Sequence, residues 1–187
     1  MTDPVPLLEA AVVGRTCRLE RRAADWVFHL GEAVSLAVGC HWRIVSAEGI
    51  VLTDGDDGHR FGLPAPVDAE ARANASFAGA TVASAAVDRV TADFQLRLSN
   101  GLHLDLLNNS SGYEGWEGRF RLAGEAVALI AMGGGGLVLH PAAAAGEPAP
   151  GTALTSEPTP RITPAQLWSF ALVATLLFGY VLWRWVT

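Results

Sequence analysis

Asp54, Asp56 and Asp57 stand in the run DGDDGH at residues 54–59, and three carboxylates this close together could ligate calcium. The EF-hand order of alternating acidic positions followed by glycine fails, because Gly58 and His59 fall where a ligand and the glycine belong, and no Glu follows at the bidentate position. The run therefore reads as a solvated hairpin turn. The glycines at 133–136 lack the Lys-Ser/Thr of a phosphate cradle and read as a mobile hairpin tip. His29 and His103 sit between apolar positions of alternating runs, which points them toward a polar face; His41, His59 and His140 are scattered. No carboxylate stands at triad or metal spacing to any of them. Ser110 and Ser111 precede Gly112 without forming a nucleophile elbow. Cys17 and Cys40 lack metal-ligand spacing and read as two reduced, partly buried thiols. The residue types point to no catalytic, cofactor or metal site, and to a protein that is not an enzyme; His and Asp chemistry at a barrel mouth is the reading they support least.

One stretch remains. Residues 108–118 read NNSSGYEGWEG, a turn-forming run with Tyr113 and Trp116 three positions apart. Either Trp116 and Trp42 are paired core rings with Tyr113 covering the turn, or Tyr113 and Glu114 project from it to recognise a partner. The assignment carried forward buries Trp42 and Trp116 and leaves Tyr113 and Glu114 as the candidate binding residues.

The elements that must hold this stretch show a repeat. Gly14-x-Thr16 precedes Asp25-Trp-Val-Phe-His-Leu30 and Val34–Val38, as Gly79-x-Thr81 precedes Asp93-Phe-Gln-Leu-Arg-Leu98 and Leu102–Leu106. The aspartates are offset slightly further than the glycines, and one short indel reconciles them, so Gly14 and Gly79 mark equivalent structural positions. Period-two alternation in both blocks predicts strands with one buried face, joined at GEA and SNG by hairpin turns. PLLEAAVV and DAEARANASF are helix-compatible, with Asp68 a suitable N-cap for the second. HWRIVS, GIVLT, HRFGL, EGRFRL, AVALIAM and LVLH complete about ten strands. The expected fold is mainly β with two short helices, a duplicated antiparallel β-roll or open barrel. Its domain covers residues 1–140, with halves at about 5–66 and 67–140.

The C-terminal part is a different physical object. Six of the ten prolines fall in residues 141–164, which read as a semi-extended linker. Residues 167–186 carry one charge in twenty positions, about the length that crosses a hydrocarbon core as a helix. Residues 165–187 are therefore read as a single transmembrane helix, with Trp168 at one interface and Tyr180, Trp183, Arg184 and Trp185 at the other. Residues 1–30 hold no uninterrupted apolar stretch, so no signal peptide is expected and the domain is placed on the cytoplasmic side of the inner membrane, as in a tail-anchored protein.

Residues 1–140 contain 17 acidic side chains against 11 Arg, a net −6, and there is no Lys in the chain. That balance argues against a nucleic-acid partner and for a basic protein partner. SNGLHLDLLNNSSGYEGWE, sharpest from Gly112 to Trp116 and more weakly at Trp42-Arg-Ile, resembles a family of small bacterial β-rich domains with an S-x-Y-E-x-W signature, over roughly residues 10–140. That resemblance implies a β-rich fold opening on a Gly-x-Thr/Val strand, no enzymatic activity, and an immunity-protein-like role beside toxins; the apolar tail departs from it. The expected function is a membrane-tethered, non-enzymatic protein-binding module of the toxin-neutralising kind. The alternative is an accessory single-span subunit of a membrane complex.

Overall fold

The computed structural model describes residues 3–142. The linker from 143 onward and the expected span at 165–187, with its interfacial aromatics, lie outside the described residues. Helix α1 (Val5–Val12) leads into β1 (Cys17–Arg21), β2 (Trp26–Leu30), β3 (Val34–Val38), β4 (His41–Ser46) and β5 (Gly49–Thr53). Helix α2 (Ala69–Phe77) leads into β6 (Val82–Val87), β7 (Phe94–Leu98), β8 (His103–Leu107), β9 (Trp116–Leu122), β10 (Glu125–Ala131) and β11 (Leu137–Pro141). The domain is mainly β with two short helices. Asp68 caps α2 as expected, its side chain accepting the Ala71 N–H at 3.1 Å.

Every strand pairing is antiparallel, and the strands form two sheets ordered β1-β2-β3-β9-β10-β11 and β5-β4-β8-β7-β6. Each sheet thus mixes early and late strands. Their alternating residues build one core: Phe28, Leu30 and Leu36 from one sheet, Ile44, Phe94, Leu96, Leu104 and Leu106 from the other. An isolated bridge, Thr16 to Thr81, ties the lead-in of β1 to that of β6. Gly14 donates to the Val82 carbonyl at 2.8 Å beside that bridge. Gly14 (φ +77°) and Gly79 (φ +74°) each stand two residues past a helix end, where a left-handed backbone turns the chain into the strand.

The free edges of β1 and β6 are covered by side chains. Asn74 on α2 accepts the Leu19 N–H at 2.8 Å and donates to the Leu19 carbonyl at 2.9 Å, so an amide stands in for a neighbouring strand. Glu9 on α1 accepts the Val87 N–H at 3.0 Å. Glu9 maps onto Asn74 by the same offset that relates Gly14 to Gly79, and Leu19 maps onto Val87 by the one that relates Asp25 to Asp93. Each helix packs mainly on the strand it covers, α1 on β6 and α2 on β1.

Two parts differ from the sequence-based expectation. HRFGL forms no strand: Gly58 donates to the Val67 carbonyl at 2.9 Å and Val67 to the His59 carbonyl at 2.8 Å, which folds residues 59–66 into a closed loop. Strands β1 and β6 stand where periodicity pointed to none: CRLER is mostly charged, and VASAAV is built of small residues whose burial carries little hydrophobic signal.

Since both sheets and both helix contacts draw on the two ends of the domain, a cut between Pro64 and Val67 should leave neither fragment folded alone. Co-expressed fragments 1–65 and 66–142 should associate and regain the β-sheet circular dichroism of the intact domain. Independent folding of either fragment would contradict this architecture.

Candidate functional site

Trp116 is buried, packs its ring on Phe94 at 5.4 Å, and donates its indole N–H to the Ala92 carbonyl at 2.7 Å. Trp42 is also buried, edge-on to Trp26 and Phe28 at 5.4 and 5.6 Å. The two tryptophans are thus core rings of separate aromatic clusters and are not a pair. The indole N–H of Trp42 has no acceptor among the described residues. Loop 22–25 between β1 and β2 is shorter than loop 88–93 between β6 and β7, whose extra length brings the Ala92 carbonyl to Trp116.

Tyr113 does not cover the turn. It is 82% exposed, and Glu114 beside it is exposed as well. The backbone beneath is held from three sides. Asn108 donates to the carbonyls of Thr91 and Met132 at 2.8 and 2.9 Å, and its own N–H reaches Asp93 at 2.7 Å. The Ser110 hydroxyl accepts the N–H groups of Gly112 and Tyr113 at 3.2 and 2.9 Å. Gly115 donates to Ala131, while its carbonyl accepts from Gly39 and Cys40, where the chain crosses between the sheets.

The glycines at 133–136 are the second wall of this site. The expected mobile tip is instead a packed turn: Gly134 donates to the Ser110 carbonyl at 2.7 Å, and a Cβ on Gly133 would come within 2.6 Å of the Gly112 backbone. A Cβ on Gly135, at φ +87°, would collide with the Val90 carbonyl. The third wall is loop 88–92, pinned by Asp88, whose carboxylate accepts the N–H groups of Val90 and Thr91 at 2.7 and 2.8 Å. Those two bonds, the one from Thr91 foremost, hold the Asp88 carboxyl below its ordinary pKa. Val90 is 80% exposed, so Tyr113 and Val90 stand clear of the surface on the two loops that clasp the glycine turn. Neither this clasp nor Val90 was visible in the sequence, where only the glycine run hinted at a close approach.

The acidic run at 54–57 is likewise not a solvated turn. Asp54 accepts from the Trp42 N–H at 3.2 Å and meets the His41 ring at 2.7 Å. Asp56 accepts the Thr53 N–H at 2.8 Å, and Asp57 accepts the Ala69 N–H at 3.0 Å and pairs with Arg21. These carboxylates knot β4, β5, β1 and α2 together. His29 pairs with Glu20 at 2.9 Å across neighbouring strands, a contact that separation in sequence hides. The His29 ring, and then Arg18, lower the Glu20 pKa. Glu20 and His29 lie along a groove of about 340 Å³ on the outer face of β1, β2, β3 and β9, where Arg22–Asp25 and Arg119–Glu117 neutralise each other in pairs. On the other sheet, buried Asp105 accepts from Arg43 and Gln95, both at 2.8 Å. Cys17 and Cys40 are free and buried, and burial pushes both thiols up to about 12.

Trp116→Ala should destabilise the domain by ~3–5 kcal/mol in urea titration, whereas Tyr113→Ala should cost under ~0.5 kcal/mol. The reverse ranking would exchange their roles. For loop 88–92 the sign follows from the lowered Asp88 pKa: its contribution is complete above about pH 4 and is lost as pH falls through the folded-state value. Amide protection at Val90 and Thr91 should therefore drop on acidification, and should already be low at neutral pH in Asp88→Ala.

Set beside known proteins, the chain matches no family model, no curated protein and no solved structure, so the site is read from its own geometry.

Proposed function

We propose that this chain is a membrane-tethered, non-enzymatic protein-binding module, with the tip around Tyr113 as its recognition surface. The observation that carries the reading is a large aromatic side chain, 82% exposed, on a loop whose backbone is fastened to two neighbouring loops. An exposed aromatic costs little to order when its backbone is already fixed, which is how binding anchors are presented. Glu114 next to it and the net −6 of residues 1–140 favour a partner with a basic surface, as a neutralised toxin could offer. Tethering rests on residues 167–186, with their single charge in twenty positions. We further propose that the two halves descend from a duplicated unit and close as a roll. The recurrence of both edge-covering contacts at the repeat offsets supports this.

Affinity capture with the detergent-solubilised full chain tests the proposal. A partner held by the wild type should be lost with Tyr113→Ala. With Glu114→Gln it should bind more weakly and with a shallower salt dependence. The partner should persist when residues 165–187 are exchanged for an unrelated membrane span. Retention by Tyr113→Ala, or loss on exchanging the span alone, would overturn the recognition surface and favour an accessory subunit that acts through its span.

A further inference from the structure

Further exposed apolar side chains lie on β5 and on the loop that follows it. Ile50 is 62% exposed and Phe61 67%, with Val51 and Leu63 exposed as well. Strand β5 is an edge of its sheet. Phe61 has φ +45°, a left-handed backbone that a bulky residue adopts only when its surroundings impose it. Those surroundings are the bonds of Gly58 to Val67 and Val67 to His59 that close the loop, with Leu63 donating to Arg60 at 2.7 Å inside it. The His59 ring stacks on Phe61 at 5.5 Å. The loop thus tolerates backbone strain while holding an aromatic and an aliphatic side chain out in water, with Arg60 and His59 beside them.

We infer that this loop, through Phe61 and Leu63, docks against the lipid surface of the membrane that holds the chain; the inference rests on the tethering proposed above. An aromatic and aliphatic tip flanked by a long basic side chain is the composition that settles at a bilayer interface, where the rings enter the acyl boundary and the guanidinium stays with the headgroups. Residues 143–166 separate Ala142 from the apolar stretch that begins at Leu167. A segment of that length reaches about 25–30 Å as a loose coil and up to about 75 Å as polyproline II, and either reach holds the domain within range of the surface, where a modest apolar patch suffices. A second copy is the poorer occupant. The register of β4 and β5 shifts at Val51, a bulge that blunts strand-to-strand addition at this edge.

The test uses the full chain in phosphatidylcholine–phosphatidylglycerol vesicles, with nitroxide labels at Phe61→Cys, Leu63→Cys and Val90→Cys; native Cys17 and Cys40 are buried and resist labelling. Leu63→Cys keeps the Phe61 ring in place. In vesicles, labels at 61 and 63 should gain collisions with oxygen and lose them with an aqueous nickel chelate, while the label at 90 should stay aqueous. Vesicle flotation is scored on the same samples. Chain that floats while the labels at 61 and 63 stay aqueous would overturn the docking but leave the tether standing. Label–label broadening that is equal in detergent and in vesicles would assign the patch to a second copy and overturn it too. Chain that fails to float would overturn the tethering and this inference together.

Discussion

An edge strand exposes main-chain N–H groups that must be bonded or left to recruit another strand, and this fold answers that demand with side chains from distant helices. Asn74 and Glu9 reach β1 and β6 from far along the chain. Everything else follows from the helices being held there. With α2 on β1 and α1 on β6, the apolar faces of both sheets are drawn into one core, and the lead-ins meet at Thr16 and Thr81. Neither helix has enough length to persist by itself, so the helices and the edges stabilise each other.

The same architecture decides which loops meet. Because the chain crosses between sheets at Gly39–Cys40 and again after β8, the second crossing lies against the β10–β11 turn and the β6–β7 loop. The glycine turn meets the Gly112 and Val90 backbones directly, which leaves no room for side chains there and explains why glycines occupy it, while the Asn108 amide bonds the crossing to both loops. The tip is stiff for that reason, and a stiff tip loses little entropy when something binds it.

Much of the architecture was legible. Alternating runs at 26–30, 34–38 and 94–98 became strands, and the run at 102–106 became β8 one residue further along, because a half-buried strand must alternate. The hairpin gaps, the N-cap at Asp68 and the burial of Trp42 and Trp116 followed from local chemistry of the same kind. The failures share a cause as well. HRFGL alternates enough to mimic a strand, but the bonds that close it come from Val67, past two prolines. Asp54, Asp56 and Asp57 look like ligands waiting for a cation until the distant N–H groups they accept from are known. His29 gives no hint of Glu20, nor Asp105 of Arg43, because cross-strand register is set by the whole sheet. At the tip, exposure of Tyr113 was one of two readings, and the clasp beneath it was invisible.

The division of labour in that clasp has an evolutionary meaning. Tyr113, Glu114 and Val90 point out of the domain, so replacing them alters what the surface offers without burdening the fold. Gly133 and Gly135 sit where any side chain would strike a neighbouring backbone. A lineage could therefore change what this surface presents by drifting at the three outward positions alone, while the scaffold beneath them stays fixed.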